Sequence, residues 1–180
     1  MLLVIVLCIN LNIFGSIVNA KLGLPLFLDM IGTAIASIAL GPWHGVLVAL
    51  GTNTFGALGE PSDETLWFGL VNLTGALIWG FGYHRYRLQT PFRFLTLNLV
   101  TALACTLMSV PITILVFDGA VAHASASVAD SILAGGYGLV AAFFFANLIS
   151  SVADKLVSGY LALLASRLLA PLRLNEPSLR

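Results

Sequence analysis

Asp29, Asn53, Asn72 and the adjacent pair Asp154-Lys155 are the side chains of this 180-residue chain best suited to chemistry, and each interrupts a long apolar stretch. An uncompensated polar or charged group in lipid costs several kcal/mol, so such groups turn towards the interior of a helix bundle and mark ligand or ion sites. Asp29 falls near the start of one stretch, Asn53 near the end of the next, and Asn72 early in the third. Asp154 and Lys155 open the last. In helices that cross a bilayer alternately, all these positions occupy the same outer third. The expected feature is a polar cavity open to one side.

The individual residues carry different weight. Asp29, Thr33 and Ser37 are four apart and form one polar helical face. Thr33 and Ser37 read as interhelical hydrogen-bonding groups, worth about 0.6 kcal/mol per contact. Asp29 is ionisable and is the stronger candidate to meet a ligand or counter-ion. Asp154 reads either as a helix cap favoured by the helix dipole or as a cavity residue. Lys155 reads as an exposed helix start, or as a group pairing with Asp29 or an anionic substrate. Neighbours on a helix diverge by about 100°, so only one of the two is expected to face a pocket. Trp67, Phe68 and Tyr137 are candidates for stacking on a ring. Asn10, Asn12 and Asn98 read as polar contacts between helices.

Other chemistry is excluded by what these residues do not form. His44, His84 and His123 are scattered, whereas metal ligands must converge. Cys8 and Cys105 lie in apolar runs without metal or redox spacing. There is no Gly-rich phosphate loop, no GxSxG elbow and no helix with paired histidines and a glutamate. Neither catalysis nor a cofactor is expected, and energised transport would have to draw on a partner or an ion gradient.

The elements positioning these residues follow from composition. The chain is 59% hydrophobic and 9% charged, against about 25% charged in soluble domains, and its mean hydropathy is +1.00. This is an all-α polytopic transmembrane bundle, read as one integral membrane domain over residues 1–180. A net charge of zero argues against nucleic acid as a partner. Apolar runs bounded by turn residues predict helices at 1–19, 25–40, 42–58, 66–83, 94–117 and 152–171. Val18-Asn19-Ala20 would suit a signal peptidase, but no basic residue precedes the run and Asn10, Asn12 and Gly15 interrupt it. The segment therefore reads as the first transmembrane helix. Pro25 opens the second helix, and Gly41-Pro42 makes a tight reversal into the third. Trp43, Trp67, Trp79, Tyr83 and Tyr86 fall near helix ends, as an aromatic belt requires.

Charge sets the orientation. Arg85, Arg87 and Arg93 fill one link, which should be cytoplasmic, and Glu60, Asp63 and Glu64 then lie outside. Counting along the chain puts both termini in the cytoplasm. Residues 119–150 form an insert on the extracellular side or an extra helix. If the apolar run 132–150 crosses, there are seven crossings and Arg167, Arg173 and Arg180 lie outside. If it does not, there are six, all six arginines lie inside, and Asp118, Asp130, Asp154 and Lys155 gather outside. Six crossings satisfy the charge rule better, and Gly135, Gly136 and Gly138 break the run as a helical or re-entrant insert requires. Gly41, Gly45, Ala49, Asn53 and Ala57 recur every four residues, as do Asn72, Ala76 and Gly80. Such stripes let helix backbones approach in lipid. Pro111 should bend the fifth helix.

The run Leu24-Pro25-Leu26-Phe27-Leu28-Asp29-Met30-Ile31-Gly32-Thr33, with Gly41-Pro42-Trp43-His44-Gly45, Thr52-Asn53 and a final helix opening Asp154-Lys155-Leu156, resembles the substrate-binding S components of energy-coupling factor transporters. The resemblance implies a six-helix membrane subunit that binds a vitamin or similar micronutrient. Its pocket would lie at the extracellular side, near Asp29, Asn53, Asn72 and Lys155. The resemblance also implies a membrane coupling subunit and cytoplasmic ATPase subunits as partners. Two features depart from it: Ser16-xxx-Ala20 is the nearest equivalent of an Ala-xxx-Ala stripe on the first helix, and 119–150 is long for a loop. Two other readings are a ligand-sensing membrane module of a signalling system and a self-sufficient small-solute carrier. A sensor needs an output domain, and Pro171 to Arg180 is a short tail, so a separate chain would supply it. The sequence does not identify the ligand: an anion, a pterin-like ring and a cobalamin are all compatible with it.

Overall fold

A chain this apolar has to close its backbone hydrogen bonds within helices. The computed structural model describes residues 1–59, 63–119 and 125–173, and among these seven α-helices form. They are α1 Leu2–Leu22, α2 Ile31–Ala39, α3 Pro42–Ala57, α4 Glu64–His84, α5 Pro91–Leu115, α6 Ala126–Ala134 and α7 Leu139–Arg173. Four segments are long and apolar enough to cross a membrane: α1, α4, α5 and Leu139–Leu168 of α7. The protein is therefore an all-helical membrane protein. Glu60, Ala122, His123 and the tail from residue 174, all of which entered the sequence reading, lie outside the described residues.

The short helix α2 sits at the centre. It packs against α1, α3, α4 and α7, and seven of its nine residues are buried. Around it, α3 lies on α1 and α4, and α5 lies between α4 and α7, while α6 folds onto α7. Small residues set these spacings. A Cβ on Gly32 would strike the Cys8 backbone of α1, one on Gly80 would strike Pro42 of α3, and one on Gly159 would strike Asn98 of α5. The stripe Gly45, Ala49, Asn53 serves the same purpose: Gly45 meets Ser37 of α2, and Asn53 meets Gly69 of α4. The larger apolar core joins Met30, Ile38, Trp79, Phe94, Leu97 and Cys105.

Trp79 corrects the interfacial reading. It is 0% exposed, and its Nε1 donates to Asn98 Oδ1 at 2.9 Å, a pairing that a buried indole N–H requires. Trp43, Trp67 and Tyr86 do remain exposed, as belt residues would be.

Two helix boundaries also differ from expectation, and both reshape the polar region. Residues 24–30 are irregular rather than the start of a helix at Pro25, and α2 begins only at Ile31. Leu28 takes a left-handed conformation at φ 55, which a β-carbon normally disfavours. At the other end of the chain, Asp154 and Lys155 do not open the last helix. They lie in the middle of α7, which runs unbroken for 35 residues from Leu139. The expected apolar run 132–150 is thus divided, its first residues closing α6 and its remainder opening α7. The turn between them is Gly135-Gly136-Tyr137-Gly138, where Gly136 has φ 87. From Leu139 to Ser158 there is neither Gly nor Pro to stop a helix.

Candidate functional site: a polar cavity

The irregular segment 24–30 needs partners for its backbone, because unsatisfied peptide groups in a membrane interior cost several kcal/mol each. Side chains of the surrounding helices supply them. Asn19 Nδ2 on α1 donates to the Leu26 carbonyl at 2.6 Å. The Leu28 N–H donates to Asp154 Oδ1 on α7 at 2.7 Å. At the start of α2 the Gly32 N–H donates to Asn12 Oδ1 at 2.6 Å. The segment is therefore a strap pinned to α1 and α7, and Asp154 is one of its pins.

A buried hydrogen-bond chain continues from the strap across the bundle. Asn12 Nδ2 donates to Thr33 Oγ1 and Thr52 Oγ1, both at 2.9 Å. Thr33 Oγ1 in turn donates to Asn72 Oδ1 at 2.9 Å. One network thus ties α1, α2, α3 and α4 together. The Asn72 Nδ2 group is left buried and unpartnered.

Beside this network lies a cavity of about 30 Å³, room for one or two water molecules. Phe27, Asp29 and Met30 of the strap form one wall, and Phe68, Val71 and Asn72 of α4 another. Cys105 and Ser109 of α5 and Asn147, Ser151 and Lys155 of α7 complete it. Four segments distant in sequence meet there. Asp29 contributes a second buried atom without a partner, its Oδ1. Among the described residues seven buried polar side-chain atoms lack a partner, and these two are the ones that belong to residues lining the cavity.

Lys155 is 2% exposed. Its Nζ donates to Asp154 Oδ2 at 2.6 Å and lies 5.5 Å from the centroid of the Phe27 ring. Asp154, 0% exposed, therefore uses one oxygen on the strap and the other on Lys155. A buried ion pair holds only where further hydrogen bonds offset its desolvation, and the Leu28 N–H provides one. With all three groups ionised, Asp29, Asp154 and Lys155 together carry one net negative charge.

Of the six residues singled out from sequence, Asp29, Asn72 and Lys155 line the cavity. Asp154 stands immediately behind Lys155, so the two neighbours diverge as helical geometry requires, one to the strap and one to the cavity. Asn53 is away from it, with its Nδ2 donating to the Ala49 carbonyl within α3 at 2.8 Å. Trp67 is 44% exposed and not among the lining residues. Of the other ring-stacking candidates, Phe68 lines the cavity and stacks on Phe117 at 6.2 Å, whereas Tyr137 is 63% exposed.

Ser109, Asn147 and Ser151 were not anticipated. Asn147 Nδ2 donates to Ser109 Oγ at 3.0 Å, and Ser151 Oγ donates to the Ala102 carbonyl at 3.1 Å. Asn147, Ser151 and Lys155 are four apart, so they share one helical face. That spacing was open to view once residues 139–155 were taken as one helix. Among the described residues, no group of His, Cys, Asp and Glu could hold a metal ion. A scan against protein-family models finds no match for the chain, and searches of curated proteins and of solved structures find none either.

Proposed function

We propose that this chain is the substrate-capture subunit of an uptake system, an S component of the energy-coupling factor type, and that it binds a small nutrient without catalysis of its own. The observation that carries the reading is the shared cavity of Asp29, Asn72 and Lys155, walled on one side by a pinned strap, with an unpartnered polar atom on both Asp29 and Asn72.

In this reading the bundle crosses the membrane six times, through α1, α2 with its strap, α3, α4, α5 and α7. A nine-residue helix rises only about 14 Å, about half of the hydrocarbon thickness. The strap supplies the rest of that crossing. Irregular backbone at membrane depth is tolerated where protein buries it, and such broken spans are typical of binding sites in transporters. The cavity faces the outer side, and α6 with the first turns of α7 caps the same end. The arginine link 85–93 is cytoplasmic, as are both termini. The cavity has room for a water or two, so a ring-sized nutrient enters only when the strap, carrying Phe27, moves off Lys155. After loading, a membrane coupling subunit and cytoplasmic ATPases would drive reorientation of the bundle and release.

Affinity purification from native membranes tests the partnership. Recovery of a membrane subunit together with ATPases supports it. Recovery of a kinase instead favours a sensor, and nutrient uptake by liposomes holding this chain alone favours a carrier. The site is tested separately. Asp29→Ala is expected to weaken calorimetric affinity for the retained small molecule at least tenfold, with the bundle still monodisperse. Unchanged affinity removes Asp29 from the site.

A further inference from the structure

The open atoms of the cavity describe the ligand more narrowly than the fold does. Lys155 is the cation of the cavity, and its ammonium is held by Asp154 at 2.6 Å. The other oxygen of Asp154 takes the Leu28 N–H. An anionic ligand head would therefore enter beside two carboxylates and a lysine already neutralised. Removing an anion from water without a free cation is strongly unfavourable. Asp29 Oδ1, by contrast, offers an acceptor with nothing bound to it, and Asn72 Nδ2 offers a donor with nothing bound to it. As the Asn72 amide is oriented, its Oδ1 accepts from Thr33 Oγ1 at 2.9 Å, which leaves Nδ2 as the open group. Phe27 and Phe68 add aromatic rings to the lining.

We propose that the cavity selects a neutral or cationic nitrogen heterocycle carrying a hydrogen-bond donor beside an acceptor, as in a cyclic amide, a ureide or an amino-pyrimidine. The ligand N–H donates to Asp29 Oδ1, and its carbonyl or ring nitrogen accepts from Asn72 Nδ2. Anions such as carboxylates and phosphate esters are rejected by Asp29. A buried polar site built to pair a ligand's hydrogen-bonding edge rejects analogues lacking it by large factors, because its own groups are then left unpaired. This assignment rests on the nutrient-binding reading and narrows it to one substrate class.

The test is thermal stabilisation of the detergent-purified full chain by matched small probes. Cytosine, 2-imidazolidinone and pterin present the edge, while benzoate, nicotinate and phenyl phosphate are anions of similar size. At least one edge-bearing probe is expected to raise the melting temperature, and none of the anions. The binding should fall at least tenfold in Asn72→Asp, which removes the donor yet keeps an oxygen for Thr33, and also in Asp29→Ala. Neither change disturbs a hydrogen bond that holds the bundle, and helicity by circular dichroism checks that each variant folds. Stabilisation by the anions, lost in Lys155→Met and kept in Asp29→Ala, overturns the heterocycle assignment while leaving a nutrient site in place. If no probe stabilises the protein and none co-purifies with it, both the assignment and the nutrient-binding reading fail.

Discussion

Lys155 and Asp29 line the same cavity, but they are held in opposite ways, and their substitutions should behave accordingly. Lys155 is locked to Asp154. Lys155→Met leaves two carboxylates facing each other without a cation, a kind of loss that costs about 3–5 kcal/mol when a buried pair is broken. Replacing the pair together, Asp154→Leu with Lys155→Met, still strands the Leu28 N–H but removes one of the uncompensated charges. The double variant is therefore expected to be more stable than Lys155→Met alone, as read by unfolding in mixed micelles. Additive losses would mean that the two side chains do not act as a pair. Asp29 has an unpartnered Oδ1, so Asp29→Asn should cost less stability than Lys155→Met. Its effect belongs to binding. The polar residues of the cavity were partly readable from sequence because ionisable groups in apolar runs are conspicuous. The division of labour between Asp154 and Lys155 was not, since it depends on a loop 126 residues earlier in the chain reaching Asp154.

The strap and the close helix contacts make predictions about segments. Asn19→Ala frees the Leu26 carbonyl, and Asp154→Ala frees the Leu28 N–H. Either should let the cavity open more often. Cys105 lines the cavity and is 1% exposed, whereas Cys8 is packed between α1 and α2 elsewhere. A small membrane-permeant thiol reagent should therefore label Cys105 several-fold faster in Asn19→Ala than in the parent chain, with bound ligand slowing it. Equal rates would mean that the strap does not control access. For packing, Gly32→Leu drives a side chain into the Cys8 backbone and Gly80→Leu into Pro42. Overpacking of this kind costs about 1–3 kcal/mol. Gly138→Ala, with no atom near its Cβ position, is the neutral comparison. Helices α3, α4 and α5 lay close to the predicted limits because Gly41-Pro42 and the charged links punctuate them. Residues 25–30 misled because they are apolar and follow a Pro that often starts a helix. What keeps them extended is a set of side-chain partners on other segments, which periodicity cannot reveal. Residues 139–151 misled in the opposite sense: the apolar run 132–150 was read as one insert or crossing before a last helix at 152, whereas its glycines divide it and residues 139–151 open α7.

The bundle has an electrostatic axis. Asp63, Asp118 and Asp130 are exposed, as are Arg85, Arg87 and Arg93. The stacking of Phe68 on Phe117 holds the start of α4 against the end of α5, so Asp63 and Asp118 share one end of the helix pair. The arginine link joins the opposite end. The orientation proposed above, from the positive-inside rule, puts the acidic end outside. In intact cells an impermeant thiol reagent should label Asp118→Cys and leave Arg87→Cys untouched until the membrane is permeabilised. The reverse pattern would turn the cavity towards the cytoplasm. This axis was readable in the sequence because loop charge needs no tertiary information.

Native mass spectrometry of the protein, purified from its own membranes after exposure to a nutrient-rich extract, addresses the binding cavity most directly. The parent chain is expected to retain one small molecule per protein, and both Asp29→Ala and Asn72→Ala are expected to lose it while remaining folded. A parent chain that carries nothing beyond lipid, or variants that retain the molecule as well as the parent does, would contradict a nutrient site between the strap, α4 and α7.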